Sequence, residues 1–153
     1  MHAADVTETM PTVRPSDDVL SAMRMVTRHH LSGLVVADEQ GEVVGCMSSI
    51  DLLQLTLPRY LQEEPGLARV FDEEHADRIA AALVGIRVSE VLGEASARIP
   101  IVRSQATVIE LAELMVERRS PIAVVARAQG GTLGVVTVNH LLELLIQSAE
   151  GTR

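Results

Sequence analysis

A hydroxyl and a carboxylate stand three residues apart in Gly45-Cys46-Met47-Ser48-Ser49-Ile50-Asp51, where an apolar run gives way to a helical pattern. Backbone N–H groups and the positive end of a helix dipole point outward at such a junction. A carboxylate can accept hydrogen bonds from both hydroxyls of a ribose, and Ser48 adds one more polar contact. These residue types suit a sugar phosphate. Ser-x-x-Asp is equally a plain helix-capping pattern, and in isolation capping is the simpler reading. A second copy shifts that balance. Gly134-Val135-Val136-Thr137-Val138-Asn139-His140 keeps the glycine and the hydroxyl but has histidine where the aspartate would stand. A neutral imidazole offers a single acceptor and cannot take both ribose hydroxyls, so a second site would be impaired or specialised. Three readings of His140 stay open: a solvated residue at a helix start, a cation that meets phosphate when protonated, and, last, a catalytic base. No nucleophile or carboxylate lies at a recognisable spacing from it for catalysis.

The two heptapeptides belong to a longer repeat. Met10–Leu55 aligns without a gap on Ile99–Leu144 at a constant offset of 89, with thirteen identical pairs that include Val13/Val102, Arg14/Arg103, Val35/Val124, Gly45/Gly134 and Leu52/Leu141. A tandem pair of one small unit follows, and function is expected in a cleft between related halves. Each unit alone buries too little apolar surface to be secure, and no disulfide or metal cluster helps it, so the halves should share a core.

Within one unit, Thr12-Val13-Arg14 reads as a short extended segment and Pro15-Ser16-Asp17-Asp18 as a helix start. Val19, Leu20, Met23, Val26 and Thr27 predict a helix over about 17–29, which Ser32-Gly33 ends. Leu34-Val35-Val36-Ala37 has the continuous apolar character of a strand buried on both faces; a turn at 38–41 leads to the strand Val43–Met47 and then to a second helix. The second copy repeats the order, with a helix near 107–118 that turns Val108, Ile109, Leu111, Ala112 and Met115 inward. Strands follow near 122–127 and 132–137, then a helix over about 139–148. Pro58–Gly85 is an acidic insertion in which Leu67, Val70, Phe71, Ile79, Leu83 and Val84 make an imperfect helical stripe. Its charge run is most simply a solvated helix face.

Composition excludes several classes. All thirteen basic residues are arginine against twenty-one acids, and a net charge of -8 opposes attraction to nucleic-acid backbone. The only aromatics, Tyr60 and Phe71, lie between the repeats, so neither half offers a stacking platform. No run approaches the roughly 18 uninterrupted apolar residues of a membrane span. A lone cysteine and the absence of a signal-like N-terminus lead to the expectation of a reducing, cytoplasmic setting. His29-His30 lacks a second pair at ligand spacing, so no metal is expected. Cys46 and the methionines on apolar stripes read as core packing.

With Ser32-Gly33-Leu34-Val35-Val36-Ala37-Asp38 leading into the strand pair, Thr12-Val13 opening the unit and Gly-x-x-Ser-x-x-Asp at 45–51, the chain resembles a tandem CBS-domain pair, the Bateman module. The resemblance covers nearly everything outside the insertion. It implies an α+β fold of two pseudo-symmetric β-α-β-β-α units packed sheet to sheet, divided as 1–57, 58–86 (helical acidic insertion) and 87–153. It also implies an adenosyl ligand, AMP, ADP, ATP or S-adenosylmethionine, held between the units as a regulatory signal, with no cofactor and no catalysis. Carried over position by position, Ser48 and Asp51 would meet ribose while Thr12, Gly33 and Leu34 line an adenine pocket. The degenerate second site would comprise Ile101, Ile122, Ala123, Thr137 and His140. Arg14 and Arg103, kept in both copies, would either meet ligand phosphate or pair with nearby acids. The resemblance further implies a homodimer and a regulated protein partner of unknown identity. A ligand-free dimerisation scaffold is the alternative, supported by the missing second aspartate. An enzyme is the weakest reading, for no Walker loop, serine elbow or zinc motif is recognisable.

Overall fold

A computed structural model describes residues 1–57, 63, 66 and 73–151. Two three-stranded sheets form its centre. In the first, β1 (Thr12–Val13) runs parallel to β2 (Gly33–Ala37), which pairs antiparallel with β3 (Val43–Ser48). The parallel pair needs a crossover, and α1 (Val19–Arg28) supplies it. Asp18 starts α1 by accepting from the Leu20 N–H at 2.8 Å. Beyond β3 comes α2 (Ser49–Gln54), the insertion holds α3 (Glu73–Ala81), and α4 (Val88–Ala97) follows it. The second unit repeats the plan with β4 (Ile101–Arg103), α5 (Val108–Arg118), β5 (Ile122–Ala126), β6 (Thr132–Thr137) and α6 (Val138–Gly151).

The repeat offset survives in fine detail. Both sheets carry an irregularity at the same place, between Val36/Ala37 and between Val125/Ala126. His30 and Arg119, offset partners after α1 and α5, both take left-handed φ values, 52° and 49°. There the chain reverses so that the Leu31 N–H reaches Val26 O at 3.0 Å and the Ser120 N–H reaches Met115 O at 3.0 Å.

Alternation along the strands builds three cores. Leu34, Val36 and Met47 point to the helices beside Val13, Val19 and Val26. Val102, Ala123, Val125 and Val136 do the same beside Leu111 and Met115. Val35 and Cys46 turn the other way and meet Ile99, Ile122, Val124 and Val135 of the second unit. Both faces of β2 are thus covered, which is why its run carries no polar residue. The two sheets pack through this central layer, and the halves share a core. One inward assignment on α5 fails: Ile109 is 71 % exposed. The buried stripe is Val108, Leu111 and Met115, and Ile109 lies about 100° from Val108 around the helix.

Two segments cross between the units. The short helical turn Ala3–Val6 buries Ala3 and Val6 in the second helix-side core, and its backbone bonds Ala3 N–H to Ala106 O at 2.7 Å and Ala4 N–H to Ser104 O at 3.0 Å. Reciprocally, α4 buries Val88 and Ala95 in the first helix-side core. Residues 1–8 and 87–97 therefore stand in space with the unit opposite to their place in the sequence. Of the insertion, Glu73, Glu74, Asp77 and Arg78 are exposed on α3, Leu83 is buried and Val84 exposed. The stripe positions Leu67, Val70 and Phe71, and the Ile79 side chain, lie outside the described residues.

Candidate functional site

The turn from β3 into α2 has the geometry of a reciprocal cap. Asp51 N–H donates to Ser48 Oγ at 3.1 Å, while Ser48 N–H and Oγ–H donate to Asp51 Oδ2 at 3.0 and 2.8 Å. Capping is thus part of what Ser48 and Asp51 do. It is not all, because Arg98, the residue that follows α4, donates from Nη2 to Asp51 Oδ1 at 2.7 Å. A carboxylate has four lone-pair positions, and three are occupied. One ribose hydroxyl can join without rearrangement; the second requires Arg98 to move.

Asp51 is 8 % exposed yet lines a cavity of about 430 Å³ together with Met47, Leu55, Val91, Glu94 and Arg98. Burial works to raise its carboxyl pKa, but the hydrogen bonds from Arg98 and Ser48 and the Arg98 charge outweigh burial and hold it below the ordinary value of 3.8. An acid whose folded pKa lies below its unfolded one adds stability above the unfolded value and loses it as pH falls through the folded value. Asp51→Asn should therefore be less stable than the parent at pH 6, with the gap closing below about pH 3.8. Denaturant titrations across pH 2.5–6 test this, and a gap independent of pH would contradict it.

The other residues expected in the first cleft do not gather on that cavity. Gly33 pairs with Ser48 across β2 and β3, and its missing side chain leaves room for Ile122 Cδ1. The expected members of two different sites, Gly33 and Ile122, are thus in contact at the centre of the interface. Leu34 is fully buried in the helix-side core and presents no surface to a ligand. Thr12 is exposed on the edge strand, paired with Val35. Arg14 borders a recess with Asp38 and Glu39, and Arg103 one with Glu110, Glu113 and Glu117. Neither lines the Asp51 cavity, and among the described residues Arg98 is the guanidinium found there. Arg98 lies one residue outside the repeat alignment, which left it no partner to flag it.

The second unit solves the same junction differently. Thr137 N–H and Oγ–H both donate to Glu8 Oε2, at 2.7 and 2.8 Å. Glu8 comes from the crossing N-terminal segment and occupies the donors that Asp51 holds in the first unit. His140 is half-buried, its N–H reaching Thr137 Oγ1 at 3.3 Å and its Nδ1 lying 3.9 Å from Glu143 Oε2. Ile122 pairs with Thr137 across β5 and β6 and His140 bonds Thr137, but Ala123 is buried on the helix side and Ile101 is 65 % exposed, so the five second-site residues do not all meet.

Gly45 and Gly134 have a packing reason. A methyl group at Gly45 would lie 2.6 Å from Ser96 Oγ, and one at Gly134 would lie 2.9 Å from Thr7 Cβ. Each glycine admits the crossing segment, and Ser96 Oγ accepts from the Cys46 N–H at 3.2 Å while Val135 O accepts from the Glu8 N–H at 2.8 Å. Burial pushes the Cys46 thiol up to about 12, which leaves it protonated and inert. Among the described residues no group of three or more His, Cys, Asp or Glu is placed to hold a metal, and no helix is long and apolar enough to cross a membrane.

Comparison with known proteins gives a consistent family. The CBS domain matches residues 3–57 and 88–147. A CBS domain-containing protein of Kribbella flavida is 33 % identical, with 95 % of this chain and 99 % of that one covered at a TM-score of 0.68. The CBS-pair protein CBSX2 of Arabidopsis thaliana is 21 % identical over 97 % of this chain and 96 % of its own, at a TM-score of 0.71. A CBSX2 structure in complex with AMP covers 97 % and 98 %, at 20 % identity and a TM-score of 0.68. The uncharacterized protein MJ1426 of Methanocaldococcus jannaschii is 25 % identical, with 95 % of this chain and 92 % of its own covered.

Proposed function

The chain belongs to the CBS-domain family as a tandem pair, a regulatory module, and from that premise we propose that it senses an adenosyl ligand, AMP first among AMP, ADP, ATP and S-adenosylmethionine, without turning it over. The observation that carries the reading is the nine-tenths-buried Asp51 carboxylate lining a cavity beside a guanidinium. The AMP complex of CBSX2 supports the choice of ligand. Asp51 takes a ribose hydroxyl, Ser48 orients it, and Met47, Leu55 and Val91 offer apolar surface to the base. The first cleft is the occupied one; Glu8 on Thr137 and the absent second aspartate support a second cleft that binds weakly or not at all.

The units 1–57 and 87–153, the insertion 58–86 and a cytoplasmic setting are carried within this proposal. So is a homodimer. Its support is an apolar groove of about 810 Å³ lined by Ile50, Met115, Val116, Val138, Leu142 and Leu145, several of them more than half exposed. Ligand would bias the angle between halves or protomers, and a partner protein would read that angle. The same groove favours the second reading, a ligand-free dimerisation scaffold.

Calorimetry with AMP separates the two. Asp51→Ala should weaken AMP binding by about 1.5–3 kcal/mol through loss of a charge-assisted hydrogen bond, with a folded melting profile retained. Unchanged affinity would remove Asp51 from the site. No heat and no melting shift with any adenosyl ligand would leave the scaffold.

A further inference from the structure

We propose that Arg98 sets the charge preference of the first cleft, selecting an adenosine ligand that carries a phosphate over a neutral or cationic one; this rests on the reading of that cleft as an adenosyl site. Among the described residues, the charged groups that line the cavity are Asp51, Glu94 and Arg98. Two of these three are acids, so Arg98 is the cation among them that can meet a phosphate dianion. The other arginines kept in the repeat, Arg14 and Arg103, border separate recesses and cannot supply the missing cation.

Arg98 is held in a way that leaves it available. Its contact with Asp51 runs through Nη2 alone, at 2.7 Å, and its side chain is 55 % exposed while that of Asp51 is 9 % exposed. A guanidinium carries five N–H donors in a planar fork, so one edge can stay on the carboxylate while another meets phosphate oxygens. Phosphate can also draw Arg98 away, which frees Asp51 Oδ1 for the second ribose hydroxyl. Either way the phosphate and the sugar are recognised as a coupled pair. Because Arg98 follows α4, which packs on the first sheet but belongs by sequence to the second unit, a phosphate bound there ties the two units together.

The test is calorimetry of the full chain and its Arg98→Gln and Arg98→Lys variants with AMP, adenosine and S-adenosylmethionine at fixed ionic strength, with melting curves alongside. Arg98→Gln should weaken AMP by roughly 10- to 100-fold, leave adenosine within about threefold and strengthen the cationic S-adenosylmethionine, with Arg98→Lys recovering part of the AMP affinity. Equal losses for AMP and adenosine would reduce Arg98 to a structural role and overturn the proposal, as would unchanged AMP affinity. If the parent protein binds none of the three ligands, the adenosyl reading itself falls. If the parent binds AMP and Asp51→Ala weakens it while Arg98→Gln does not, only the role of Arg98 falls.

Discussion

Leu34→Ala should lower the unfolding free energy by about 3–5 kcal/mol, the range for a fully buried leucine whose surroundings cannot collapse into the space left. Leu34 is 0 % exposed in the middle of β2, pairs with Met47 and faces Val13, Val19, Val26 and Val36. These neighbours sit on the sheet and on α1, which restrains their movement into a cavity. The family resemblance alone would make Leu34 an adenine contact, and the two roles give opposite readouts. Denaturant unfolding should show the large loss, while calorimetry below the lowered melting temperature should show AMP affinity near that of the parent. A stability loss under about 1 kcal/mol with binding abolished would reverse the assignment.

Gly33→Val is expected to cost about 3 kcal/mol or more by overpacking. A Cβ on Gly33 would run into the carbonyl oxygen of Met47 and into Ile122 Cδ1. The first is the backbone of the neighbouring strand and cannot swing aside; the second is a side chain of the other unit. Combining Gly33→Val with Ile122→Val should therefore recover only part of the loss. Full recovery would show that the backbone oxygen is not the obstacle. Equal stability of Gly33→Val and the parent would show that the sheets do not meet at this point.

Much of this architecture is readable one element at a time. The all-apolar character of Leu34–Ala37 announces a strand covered on both sides, and Asp18 announces a helix start and accepts from the Leu20 N–H. Periodicity misleads where an apolar residue sits just off the stripe, as with Ile109. Ser48 and Asp51 were legible both as a cap and as a candidate site, since three-residue spacing at a helix start serves either purpose. Gly45 and Gly134 were legible as a repeated pair, but the reason for them, Ser96 and Thr7 packed against the strands, was not.

By itself the sequence determined the duplication, the order of strands and helices in each copy, and the need of the halves for one another. These depend on side-chain periodicity and on hydrogen bonds that close within a few residues. Tertiary structure alone decided that Arg98 meets Asp51 across 47 positions and that Glu8 meets Thr137 across 129. Both contacts are made by crossing segments that pack on the opposite unit. Which stretch of chain covers an open flank of a sheet is set by the combined packing of the whole molecule, and no local spacing encodes it.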